Sequence, residues 1–167
     1  MEDAAKGRAA AWRCVRFAFT TDRDHPWLGR PEAVQRLRTA FRCAARRRPW
    51  RWDAAVVLPD AVHGLWRLPP EDPDPRPRWQ AVKAHCTRHL RYWPGLPRGR
   101  LWAPGVIWWE VAEAQWRSEV GRIHWEPVRR GLVARPEEWR YSSCHRWLAA
   151  GVYPPGGSGP EAEADGP

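Results

Sequence analysis

His63 stands in the stretch Val56-Val57-Leu58-Pro59-Asp60-Ala61-Val62-His63-Gly64-Leu65-Trp66, two short apolar runs joined at Pro59-Asp60. Pro-Asp is a turn signal, and side chains alternate across a strand, so Ala61, His63, Leu65 and Arg67 share one face. One imidazole is therefore expected on an otherwise plain sheet face beside a turn. Two further groupings are basic. Lys83, Thr87 and Arg91 recur at i, i+4 and i+8 beside Arg88, and Arg122, Glu126 and Arg129 or Arg130 share a helical face. Guanidinium forks match phosphate oxygens and stack on bases, so both groupings suit a phosphate-bearing ligand.

The whole composition leans the same way. Among 167 residues, 28 are basic and 19 acidic, a net charge of +9, with a pI near 10.4 and a mean hydropathy of −0.71. Lys6 and Lys83 are the only lysines, so 26 of the 28 cations are arginine. A high-GC genome accounts for the choice of arginine but less well for the positive excess, which favours a nucleic acid or another polyanion as partner. The four cysteines, Cys14, Cys43, Cys86 and Cys144, form no Cys-x-x-Cys pair, which argues against a zinc knuckle or a disulfide framework and for small buried side chains in a reducing compartment. No apolar run approaches the length of a membrane span and no signal-peptide core is visible, so a cytoplasmic protein without a membrane partner is expected.

These residues need elements to hold them. Residues 1–11 read as a flexible arm, 12–148 as one domain, and 149–167, rich in Gly, Pro, Ala and Glu, as a disordered tail. From Trp12 to Thr21, Val15, Phe17 and Phe19 alternate with Arg16, Ala18 and Thr20, predicting a strand that carries Arg16 and Thr20 towards a ligand. Pro31 opens a helix with Val34, Leu37, Phe41 and Ala44 on its apolar stripe and Arg36, Arg38, Arg42 and Arg46 on a solvated face. Strands follow over Trp52–Leu58 and Val62–Leu68. A second helix over Arg78–Trp93 buries Trp79, Val82, Cys86, Leu90 and Trp93. A third over Ala112–Val128 turns Ala112, Trp116, Val120 and Ile123 to the core, with a kink or an end near Pro127. Most of the fourteen tryptophans, Trp66, Trp79 and Trp116 among them, fall on apolar stripes; Trp108 and Trp125 are the better placed to stack on unpaired bases. The pattern predicts an α+β fold, a ferredoxin-like antiparallel sheet with helices on one face and an additional C-terminal helix.

Three motifs in order resemble the REP-associated tyrosine transposases, within the superfamily of single-tyrosine, His-hydrophobic-His transposases. They are the Pro59–His63 stretch, Arg122-Ile123-His124-Trp125-Glu126-Pro127-Val128-Arg129-Arg130-Gly131-Leu132-Val133, and Pro136–Arg146 with its Trp139 and Ser142-Ser143. The likeness runs from about Phe17 to Trp147, and the family's Lys-x-x-x-Thr-Arg pattern is matched by Lys83, Thr87 and Arg88. It implies metal-dependent tyrosine transesterification of hairpin-forming single-stranded DNA in transposition, with magnesium or manganese as the divalent metal. Here the chain departs from the pattern. The family's nucleophilic tyrosine position holds Arg122, and Ala61 replaces the first metal histidine. His63 and Glu126 are what remain of the metal set. Tyr92, Tyr141 and Tyr153 are the only tyrosines, and none stands at the nucleophile's place. The resemblance therefore predicts a transposase-fold protein that binds hairpin DNA and is catalytically impaired. Arg16, Lys83, Arg88, Arg122, Trp125, Arg129 and Arg130 are its candidate nucleic-acid contacts, and Arg122 is a candidate to place its charge where the metal once sat. The alternatives are a non-catalytic binder of single-stranded DNA or structured RNA, and the inert product of a decaying element.

Overall fold

The chain runs β1 (Arg13–Thr20), α1 (Pro31–Arg47), β2 (Arg51–Val57), β3 (Ala61–Leu68), α2 (Arg76–Leu90), β4 (Ile107–Glu110), α3 (Trp116–Arg129) and α4 (Cys144–Ala149). The structure is a computed structural model and describes residues 11–96 and 98–152. Apart from residues 11 and 149–152, the arm and tail expected at the two ends lie outside the described residues, as does Tyr153. The sheet is antiparallel throughout, in the order β2-β3-β1-β4, the ferredoxin-like arrangement the pattern predicts.

Each strand's alternation sorts its side chains between two cores. Val15, Phe17 and Phe19 of β1, with Val62 and Trp66 of β3, face α1 and α2 in one cluster. Its centre is aromatic: Phe17 and Trp66 lie 4.3 Å apart between ring centroids, and Trp50 and Trp66 lie 4.6 Å apart. Cys14, Ala54, Val56, Ala61 and Leu65 face the other way and meet Val120 and Ile123 of α3. The additional C-terminal helix thus covers the second face of the sheet, and β3 is buried along nearly its whole length. Cys14, Cys86 and Cys144 are buried, and burial pushes their thiols up to about 12, 12 and 11 respectively. Among the described residues no helix is long and apolar enough to cross a membrane.

One local expectation needs correcting. Ala112 does not face the core; it is exposed ahead of a short 3-10 turn at Glu113–Gln115, and α3 begins only at Trp116. The end expected near Pro127 is there: α3 stops at Arg129, two residues on. The end comes where Gly131, at φ +67°, donates its N–H to the Val128 carbonyl at 2.8 Å, a left-handed closure that glycine adopts at little cost. Beyond α3 the chain returns to the outer edge of β2. There Val57 N–H meets the Tyr141 carbonyl at 2.9 Å and Ser143 N–H meets the Ala55 carbonyl at 2.8 Å, covering an edge that would otherwise offer unpaired backbone groups.

Candidate functional site

The Pro59-Asp60 turn, the inward face of β1 and β3, and the C-terminal half of α3 converge on one place. The turn is closed by Leu58 N–H to the Ala61 carbonyl at 2.8 Å, which sets Ala61 and His63 facing α3. Arg130 Nη1 on α3 donates to Asp60 Oδ1 at 2.7 Å and ties the helix end to the turn. His63 Nε2 lies 3.8 Å from Glu126 Oε1. On its other side, Arg16 Nη2 of β1 lies 3.5 Å from His63 Nδ1, and Arg16 Nε lies 3.6 Å from Glu119 Oε2. Arg122 Nη1 sits 3.7 Å from Glu119 Oε1, while Glu126 is held by Arg129 and has Arg130 Nε 3.9 Å away.

Burial dictates the charges. Loss of water, with Arg16, Arg130 and Arg129 nearby, pulls His63 down to about 4 against the opposing pull of Glu126, so the imidazole is neutral at physiological pH. Burial also lowers Arg16, to about 10, which leaves it charged. Glu126 stays below its usual value: burial would raise it, but the hydrogen bond from Arg129 and the charges of Arg129 and Arg130 outweigh that. Arg16 Nε and Nη1, His63 Nε2 and Glu119 Oε2 are shielded from solvent and lack a hydrogen-bond partner. Arg16 Nε and Glu119 Oε2 face each other at 3.6 Å, and His63 Nε2 faces Glu126 Oε1 at 3.8 Å, so these atoms meet polar partners at distances beyond a hydrogen bond.

A divalent metal does not suit this donor set. Ala61 contributes a methyl group, and among the described residues no three His, Cys, Asp or Glu side chains gather as ligands. His63 and Glu126 are two donors, one pressed by the Arg16 guanidinium and the other already committed to Arg129. Magnesium and manganese prefer more oxygen ligands than this, and cations already occupy the oxygens on offer.

The remaining candidates fall in different places. Arg122 and Arg129 project from α3 with side chains 50% and 45% exposed, Arg130 is bound to Asp60, and Trp125 is half-buried on the same helix. Arg16 differs from the expectation of an open ligand-facing residue: it is 5% exposed because α3 covers its strand face. Lys83 and Arg88 lie on α2, across the sheet from this pocket. Lys83 Nζ donates to the carbonyls of Ala103 at 3.2 Å and Gly105 at 2.6 Å, which fastens a loop, while Arg88 is exposed. Trp108 packs inward on Trp79, and its neighbour Trp109 is the exposed ring, with the Arg16 guanidinium 5.8 Å from its centroid. Glu119 is the participant that reading the sequence missed. It lies seven residues, two helical turns, before Glu126, and that spacing was the available signal.

His124 reinforces the pH behaviour of this layer. Its Nε2 lies 2.8 Å from Ser143 Oγ, and burial, with Arg146 and His145, pulls it down to about 3. The unfolded chain takes up protons on both histidines below about pH 6.5, and the folded chain does not. Stability is therefore full above that pH and falls as the pH drops towards 4, by about 2 kcal/mol per histidine at about pH 5. Urea midpoints at about pH 7 and pH 5 should show the loss, and His124→Gln should remove its share. A midpoint unchanged between the two would contradict both assignments.

No protein-family model matches the chain. A REP-associated tyrosine transposase of Escherichia coli K12 is 36% identical over 123 residues, covering 72% of this chain and 70% of its own. A Haemophilus influenzae relative described in similar terms is 28% identical over 142 residues, 80% of each chain. Among solved structures, a REP-associated tyrosine transposase bound to a REP hairpin shares the fold at a TM-score of 0.76 and 28% identity, over 91% of this chain and 88% of its own.

Proposed function

The chain belongs to the REP-associated tyrosine transposases, and from that premise we propose that it binds hairpin-forming single-stranded DNA and does not carry out its family's tyrosine transesterification. One observation carries the reading. Where the family resemblance sets a metal and a nucleophile, Arg16, Arg122 and Arg130 interlock with Glu119 and Glu126 instead, Arg122 being the residue that the resemblance aligns with the tyrosine. A guanidinium offers no nucleophile, yet it binds phosphate oxygens as a metal would attract them. Arg122 and Arg129 present their forks at the surface of α3, and Arg16 supplies a fixed positive charge beneath them. Glu119, Glu126 and Asp60 orient these cations. The likeness to a relative bound to a REP hairpin supports a hairpin as the ligand.

The test uses the unmodified protein with a labelled hairpin, with and without magnesium or manganese, on native and denaturing gels side by side. The expected result is a native shift that weakens steeply with salt, as phosphate contacts require, and no adduct that survives denaturation. A denaturant-resistant adduct would overturn the non-catalytic reading and point to Tyr92, Tyr141 or Tyr153. A salt-insensitive shift would overturn the electrostatic one.

A further inference from the structure

The outer side of α2 carries His85 and His89, one helical turn apart. Val82, Cys86 and Leu90 of the same helix point into the core. The two imidazole rings stand side by side, with centroids 4.4 Å apart and planes at 42°. His85 is half-buried and His89 exposed, so both rings reach solvent. Among the described residues no hydrogen bond from the protein takes up a nitrogen of either ring. The other histidines are placed differently. His63 and His124 lie in the buried layer beneath and beside α3, and His145 Nε2 lies 3.0 Å from the Trp139 carbonyl. The charges closest to the pair are cations: Arg88 is on the same helix, and Arg36 acts on His85 from α1.

Two imidazoles at i and i+4 on one helical face are a chelating pair. Metal–nitrogen bonds of about 2.0–2.1 Å set the two nitrogens about 3 Å apart. Rings whose centroids lie 4.4 Å apart reach that separation by small turns about their side-chain bonds. Imidazole nitrogen suits zinc, nickel and copper, whereas magnesium takes oxygen ligands. We propose that His85 and His89 form a nitrogen-donor site for a transition-metal dication of the zinc, nickel or copper class. The site is separate from the α3 pocket and independent of hairpin binding. Cys86, next in the chain, is fully buried on the core face and adds no sulfur ligand, so water completes the coordination. The ion closes the last turn of α2, which ends at Leu90, where the negative end of the helix dipole favours a cation. Arg88 and Arg36 oppose it, and with only two protein ligands the affinity is micromolar rather than nanomolar.

Calorimetric titration of nickel into the untagged full chain tests it, at about pH 7.5, where an ordinary imidazole is mostly neutral. The expected result is one nickel ion bound per chain at micromolar affinity, and no magnesium bound at the same concentrations. His85→Gln and His89→Gln should each weaken nickel by at least about tenfold, since losing even a partner of a ligand costs that much. Both positions lie on the helix surface, so glutamine leaves the fold intact. Arg88→Gln should tighten nickel about threefold by removing a like charge. His145→Gln, at another exposed histidine, should leave the titration unchanged. A thermal melt gives a second readout: nickel at about 100 times its Kd should raise the melting temperature by about 5 °C, and His89→Gln should abolish that shift. Nickel affinity that survives His89→Gln, or falls as far with His145→Gln, would overturn the assignment. So would magnesium binding as tight as nickel, or no nickel binding below about 1 mM.

Discussion

Gly64→Ala is expected to lower the melting temperature by about 10 °C, and Gly64→Val to leave the chain unfolded. A Cβ at position 64 would sit 2.5 Å from Phe17 Cζ, 2.6 Å from Phe17 Cε1 and 2.9 Å from Trp52 Cζ3, all well inside van der Waals contact. Phe17, fully buried, has no room to retreat, whereas the half-buried Trp52 has some. Phe17 is pinned by Trp66 at 4.3 Å and Trp79 at 5.5 Å, and Trp52 by Phe41 at 5.0 Å and Trp66 at 5.4 Å. Gly64 lies in β3 between Phe17 of β1 and Ala55 of β2, so the backbone cannot shift without breaking two ladders. Overpacking a close-packed core costs roughly 1–3 kcal/mol or more. The trapped Phe17 ring places this site at the upper end, about 3 kcal/mol, and for a chain of this size each kcal/mol moves the melting temperature by about 2–4 °C. A thermal melt of Gly64→Ala within about 3 °C of the parent would show that the aromatic cluster is looser than its ring geometry implies. The absent side chain thus lets β3 lie beneath an aromatic cluster, although a glycine in mid-strand is ordinarily a weakness.

That role was not legible in the chain, and the reason separates what could be read from what could not. Period-two alternation in Val15, Phe17 and Phe19 and period-3.6 stripes in α1 and α2 are local signals, and the elements formed where those signals lie. His63 could be set on the face of Ala61 and Leu65 for the same reason. What covers that face is decided by α3, more than fifty residues later in the chain, so a strand-level reading carried Arg16 towards a ligand when it lies beneath a helix. Trp108 and Trp109 could be expected to point opposite ways, but which ring faced the core depended on the register of β4 against β1, where Phe17 opposes Trp108 and Arg16 opposes Trp109. Arg122 and Glu126 were natural partners at one helical turn. Three acids and four arginines compete there, and the geometry gives Arg122 to Glu119 and Glu126 to Arg129. Two motifs distant in sequence located the site because they meet in space, through Arg130 and Asp60.

The double change Arg122→Glu with Arg129→Glu is expected to weaken binding of a blunt hairpin about 100-fold or more at about 0.1 M salt. The four arginines around the α3 pocket, Arg16, Arg122, Arg129 and Arg130, face three acids, Glu119, Glu126 and Asp60. The neutral His63 adds no charge. Such a site is close to neutral overall, so its attraction for phosphate rests on the two most exposed forks, and reversing both turns a slight attraction into repulsion. Two lost phosphate contacts at about 1.4 kcal/mol each account for the 100-fold, and the slope of log affinity against log salt should become shallower by about two. Arg36→Glu with Arg47→Glu changes the net charge by the same amount from exposed positions on α1, across the sheet. If binding were a matter of overall charge alone, the two pairs would weaken it equally. A local contact surface requires the α3 pair to cost far more and the α1 pair to change affinity by no more than about threefold. Equal losses would leave the arginines of α3 as solvated partners of their neighbouring acids and move the hairpin interface elsewhere on the molecule.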